Sequence, residues 1–208
     1  MTPIVQRWAA FSVLTFASWG MAPVVQAEDA LTEGEPESVL QARTFNSLYA
    51  KFCLKYLYDL DSLRDMMAPV PQLAPEQAML LLQGQPGDAW PVHDANGDFV
   101  VVVPKLRKEC SVAGRAVDTT AVSAFFAKHL AVAPDPLTAK TLKDEDLVPS
   151  ADEAAQGAVP QHRVTYEWHG PDAPVLMRFT LVTAPGSTQG LQAWGTASLL
   201  MPSDLKSE

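Results

Sequence analysis

The sequence predicts an α+β domain: helices first, then a hairpin with a third strand, one further helix, and an antiparallel run of three strands. Three observations carry that expectation. Apolar residues recur three or four apart between Val39 and Leu60, as one face of a helix of about six turns requires. The Asn96-Gly97 pair separates two strand-like runs, a signature of a hairpin. From residue 161 onward, three strand-like stretches are divided by turn-forming clusters at 169–172 and 185–188.

Residues 1–27 read as an export signal. Arg7 precedes an apolar run from Trp8 to Met21, Pro23 breaks it, and Val25 and Ala27 occupy the small-residue positions of a cleavage site. Cleavage after Ala27 leaves a soluble chain beginning at Glu28, in the periplasm or secreted. An uncleaved anchor is the competing reading, but Ser12, Thr15, Ser18 and Gly20 dilute a run that is already short for a span. Residues 28–36 are acidic and poor in apolar side chains, which predicts a flexible lead-in. A single domain over 37–203 follows.

Within that domain the first long helix carries Phe45, Leu48, Tyr49, Phe52, Cys53 and Leu57 on one stripe. Asp61 and Ser62 are candidate caps for a short helix through Met67, and Pro69 to Pro71 ends it. A second short helix is expected over 75–82, with Pro75 at its start and Gly84 as its stop. Residues 84–90 read as a loop. Strands at 90–93 and 98–103 flank the turn at Asp94 to Gly97, with positive φ expected at Asn-Gly. Residues 99–103 are continuously apolar, as in a strand covered on both faces. Another strand, carrying Cys110, follows the basic turn at 105–108.

Asp118 caps a helix to about Val132 with Val122, Phe126 and Leu130 on one face. Residues 133–160 hold Pro134, Pro136, Pro149 and Pro160 among many acidic side chains and are expected to form a long loop, either a lid or an inert insertion. The last strands are 161–168, 175–183 and 191–201. This order of elements resembles the profilin-like and PAS-like class, in which one sheet is backed by a helix that crosses between its halves; that likeness implies a fold and no function.

Cys53 and Cys110 are the only cysteines, and after export an even number reads as a bridge pinning the helix to the sheet. The chain has 15 basic and 24 acidic side chains, and losing Arg7 takes the net charge from −9 to −10. That balance disfavours nucleic acid and membrane surfaces as partners, and leaves a basic exported protein or a small ligand.

Chemistry-bearing motifs are sparse. Asp94, Asn96 and Asp98 imitate the opening of a calcium loop, but its glycine falls at the fourth position and Lys105 stands where a bidentate Glu is needed. His93, His129, His162 and His169 lack metal-ligand spacing, and no cofactor is expected. The 186–190 segment displaces its serine from a nucleophile elbow. The most distinctive polar and aromatic grouping is Gln85, Asp88, Trp90 and His93, a possible binding surface in which Trp90 serves either recognition or core packing.

The Phe45 to Leu57 helix with Cys53, the loop from Gly84 to Trp90, and the Cys110 strand together resemble an uncharacterised family of exported bacterial proteins and lipoproteins of similar length, over residues 40–130. The resemblance implies no activity, and this chain lacks a lipidation cysteine. The expected function is a non-catalytic exported binding or interaction protein. Its alternative is a cell-envelope hydrolase with a site near Trp90, His93 and the 133–160 segment.

Overall fold

The computed structural model describes residues 35–171, 175–185, 187 and 190–201. The expected signal, residues 28–34 of the lead-in, the expected domain end at 203 and parts of the last two turns lie outside the described residues.

Helix α1 (Glu37–Leu48) continues into a π-helical segment (Tyr49–Leu54) and is followed by α2 (Leu60–Met67) and α3 (Pro75–Leu81). Strands β1 (Gly87–Asp94), β2 (Gly97–Pro104) and β3 (Glu109–Gly114) form a meander, and α4 (Thr119–Leu130) comes next. Then follow β4 (Thr138–Leu147), α5 (Ala151–Ala155), β5 (Gln161–His169), β6 (Leu176–Thr183) and β7 (Ala193–Leu200). The seven strands make one antiparallel sheet in the order β1-β2-β3-β7-β6-β5-β4. The first meander runs from one edge to the middle, α4 carries the chain to the far edge, and the second meander returns until β7 pairs with β3. The fold is α+β with a crossing helix.

The core lies between the sheet and α1, α2 and α4. Phe45, Tyr49, Phe52 and Cys53 from the first helix meet Val122, Phe126 and Leu130 from α4 over the inward residues of β2, β3, β5, β6 and β7. A fully buried side chain of this size contributes roughly 1.5–3 kcal/mol by leaving water. Small residues on β7 make the helix fit. A Cβ at Gly195 would stand 3.2 Å from both Phe45 Cζ and Tyr49 Cδ2, so the aromatic rings rest on the strand itself. Tyr49 also donates its hydroxyl to the Thr196 carbonyl at 2.9 Å, and burial pushes its phenol well above the usual range. Cys53, on the π-helical segment, is bridged to Cys110 on β3 with 5.1 Å between their Cα atoms. The widened turn keeps Tyr49, Phe52 and Cys53 buried together.

Helix α3 lies on the opposite face of the sheet. Leu81 and Leu82 at its end cover Ala89 and Val102, which accounts for the uninterrupted apolar run of β2: Phe99, Val101 and Val103 face the main core while Val102 faces this smaller cluster. Gly87 permits the close approach, because a Cβ there would sit 2.4 Å from Leu82 Cδ2 and 2.8 Å from the Val103 carbonyl oxygen.

Several local expectations change. The segment 133–160 is no long loop: it holds β4 and α5. Charged side chains along an edge strand hid its alternation, since such a strand has one unpaired, solvated side. The cap of α2 is Asp59, whose side chain accepts from Ser62 N at 3.1 Å, two residues before the expected Asp61. Residues 87–89 belong to β1 and not to a loop. Of the Asn96-Gly97 pair, only Gly97 has positive φ, at 151°. Asp94 Oδ1 accepts the Asn96 N–H at 3.0 Å and Asn96 donates its side-chain amide to Thr44 on α1, so a tertiary contact sets the turn. Glu35 and Pro36, expected in the lead-in, are placed as well: Glu35 pairs with Arg43 at 2.9 Å and Pro36 precedes α1 as its cap.

Candidate functional site

Alternation along each strand sends every second side chain away from the helices. On β3, β7, β6 and β5 those outward residues are Ser111, Thr196, Thr180 and Thr165, and the register sets them side by side: Ser111 opposite Thr196, Thr196 opposite Thr180, and Thr180 opposite Thr165. Lys143 on β4 ends the row. The hydroxyls pair across strands, Ser111 with Thr196 at 2.9 Å and Thr165 with Thr180 at 3.1 Å, while Trp194 Nε1 donates to Thr196 Oγ1 at 2.9 Å. A hydroxyl pair spends one O–H on itself and keeps a second O–H with spare lone pairs.

Around this row lies a groove of about 1390 Å³. Helix α3 walls it on the β1–β2 side through Leu81 and Leu82. The opposite wall is a β-bulge: Thr141 pairs with Tyr166 and Lys143 with Thr165, leaving Leu142 unpaired, and both Leu142 and Lys143 reach the groove. Bulges re-aim side chains in this way. Arg163 and Arg178 come from the floor. Arg163 donates to Glu145 Oε1 from Nε at 2.8 Å and from Nη2 at 2.5 Å, and Arg178 lies 3.6 Å from Glu167. Glu109, beside Ser198, is pushed above the ordinary carboxyl range by burial, against the opposing pull of the Arg107 charge and the Ser198 hydroxyl. Arrayed donors that also accept, bordered by guanidinium and ammonium groups, can hold a polar or anionic ligand.

The four residues expected to form one binding surface are dispersed. Gln85 lines this groove. Asp88 and Trp90 share the helix-facing side of β1, where Trp90 is 2% exposed in the main core. Asp88 accepts from Arg64 Nε at 3.0 Å and from Gln72 Nε2 at 3.1 Å, with Lys105 Nζ 3.9 Å away. These groups surround a smaller recess of about 480 Å³ whose carboxylate already has its partners. His93, an odd number of residues from Trp90, projects at the hairpin end, exposed and paired with Asp98.

The other histidines stand apart. His162 bridges two carboxylates of β4, Asp144 at 3.2 Å and Asp146 at 2.9 Å. His169 bonds Thr138 at 2.9 Å. Among the described residues no group of three or more His, Cys, Asp or Glu side chains is placed to hold a metal ion. Trp90 and His93 lie on β1 and the 133–160 segment forms β4, the two opposite edges of the sheet. The threonine and arginine row escaped sequence reading because no strand shows it alone. Its only signal was alternation within 161–168, 175–183 and 191–201, and strand register had to align it.

Comparison with protein-family models, with curated proteins and with solved structures finds no match for this chain.

Proposed function

We propose that this protein is exported to the periplasm or beyond and binds a small ligand, without catalysing its conversion, in the groove on the outer face of its sheet. The observation that carries this reading is the aligned hydroxyl row, which no helix among the described residues covers and which α3 and the β4 bulge wall. A monomeric domain with both sheet faces available ordinarily buries one and solvates the other with scattered charges. Here the solvated face is concave and its polar groups converge. Residues 1–27 supply the export address, and the Cys53–Cys110 bridge fits an oxidising compartment. No helix among the described residues is long and apolar enough to cross a membrane.

A small ligand is favoured over a basic protein, because the groove contributes Arg and Lys side chains that repel a cationic surface. A hydrolase built on Trp90, His93 and the 133–160 segment would have to draw its parts from opposite sheet edges, six strand spacings or about 29 Å apart.

The test is to express the chain with its own signal, recover it from the export fraction, and examine it by intact and native mass spectrometry. The expected mass begins at Glu28 and is two hydrogens below the reduced value. A bound small molecule is expected on the natural protein and absent from Thr180→Trp, whose indole replaces a central hydroxyl of the row and projects into the groove. The same adduct on both proteins would remove the groove from the proposal.

A further inference from the structure

Charge and apolar surface are distributed unevenly around the groove. The chain as a whole carries a net charge of −9, yet the groove is lined by Arg107, Lys108, Lys143, Arg163 and Arg178 against a single carboxylate, Glu109. Arg163 and Arg178 face Glu145 and Glu167, whereas among the described residues no carboxylate lies within ion-pair distance of Arg107, Lys108 or Lys143. Among the described residues Glu109 is the one carboxylate lining the groove, so the cations outnumber it there. At physiological salt, fields act over about 8 Å, and a ligand inside the groove meets this local charge and not the acidic remainder.

The second asymmetry is apolar. Tyr58, Leu106 and Met201 are 65%, 75% and 48% exposed, and all three stand on this groove. Isolated exposed apolar side chains are ordinary, but several converging on one cleft mark a binding surface. Leu106 tops the β2–β3 turn between Lys105 and Arg107, and Leu200 and Val175 continue the apolar end from β7 and the start of β6. Away from that end, the floor passes to Thr196, Thr180 and Thr165 and then to Lys143. The groove therefore carries its exposed apolar side chains together with Arg107 and Lys108 at the β2–β3 turn, and hydroxyls with Lys143 toward β4.

We propose, resting on the binding role assigned to the groove above, that its occupant is a single anionic amphiphile: a lipid molecule with one hydrocarbon chain against Leu106, Tyr58 and Leu200, and an anionic head among the threonine hydroxyls, Arg163 and Lys143. The head's oxygens accept from hydroxyls and cations, and the chain covers apolar surface that otherwise faces water. A single molecule fits better than a bilayer surface, because Thr180 and Thr196, the partly exposed members of the row, lie in a groove walled by α3 and the β4 bulge. The net negative charge of the whole chain also opposes approach to an anionic bilayer.

The experiment is calorimetric titration of the mature, oxidised protein with probes kept below their micellar concentration. Myristoyl lysophosphatidylglycerol is the anionic amphiphile, myristoyl lysophosphatidylcholine its zwitterionic counterpart, and glycerol 3-phosphate the head alone. Lysophosphatidylglycerol is expected to bind at least tenfold more tightly than either control, and about tenfold more tightly for each two methylenes added. Lys143→Glu is expected to weaken the anionic lipid about tenfold while leaving the choline lipid unchanged, and Leu106→Asp to weaken both. Equal affinity for both lipids overturns the anionic head, and glycerol 3-phosphate binding as tightly as the lipid overturns the amphiphile. Capture by anionic vesicles without uptake of monomer assigns the patch to a bilayer and overturns single-molecule occupancy. Failure of every probe also overturns the inference while leaving the groove open to other ligands. Lipid binding that survives Thr180→Trp overturns the groove itself, provided circular dichroism shows that the variant is folded.

Discussion

Asp88 joins three parts of the chain. Arg64 on α2 reaches its carboxylate at 3.0 Å and the Pro104 carbonyl at 3.0 Å, and Gln72, from the segment before α3, supplies the third bond at 3.1 Å. A partly buried carboxylate with charged and amide donors loses more on neutralisation than a surface ion pair does. Asp88→Asn is expected to cost about 2 kcal/mol, read as a lower urea midpoint at unchanged slope; a midpoint equal to wild type contradicts that role. Glu109 acts in the opposite sense. Burial raises its folded-state carboxyl, so folding favours the protonated form; that stability is whole below the unfolded value of about 4.3 and is lost as pH rises through the folded value. Glu109→Gln, an uncharged isostere, should therefore melt above wild type at pH 7, with the advantage shrinking toward pH 4. A wild type that melts higher at pH 7 would show that the Arg107 attraction outweighs desolvation.

At the scale of elements, the contact between the first helix and β7 sets the packing. Gly195→Val places methyl groups where Phe45 Cζ and Tyr49 Cδ2 already lie 3.2 Å from a bare Cβ, and overpacking of this kind costs about 1–3 kcal/mol. Combining it with Phe45→Leu should recover part of the loss, giving a non-additive double-mutant cycle; strict additivity would mean that helix and strand do not touch there. Most elements are legible from local chemistry. Asp118 accepts the Ala121 N–H at 2.8 Å and starts α4 where the sequence places its cap. Helix α5 is legible too: Ser150-Ala151-Asp152-Glu153 is a capping box, with Ser150 N donating to Glu153 Oε2 at 2.8 Å. Strand β4 was not legible, because Lys140, Lys143, Asp144 and Asp146 are poor strand formers whose conformation comes from pairing with β5. The π-helical turn left no mark beyond the apolar stripe it extends.

For the whole molecule, the bridge between Cys53 and Cys110 closes 57 residues that include α2, α3, β1 and β2. In the chain-entropy view, a loop of that length stabilises the fold by about 4 kcal/mol. The double substitution Cys53→Ala with Cys110→Ala should lower the unfolding free energy by about that amount, and wild type under reductant should converge on the variant's urea curve. Thiol reagent that labels both cysteines before reduction would contradict the bridge. The helix stripe, the Pro75 start of α3, the Asp118 cap of α4, the central strands and the paired cysteines were determined by the sequence alone, because each rests on neighbours within a few residues or on a count of two. The order β1-β2-β3-β7-β6-β5-β4 and the groove were decided only in the folded chain. Ser111, Thr196, Thr180 and Thr165 are far apart in sequence, and a one-residue slip in any pairing would turn that strand's contribution into the core. A row of hydroxyls across four strands exists only once register is set, and burial of the opposite face sets it.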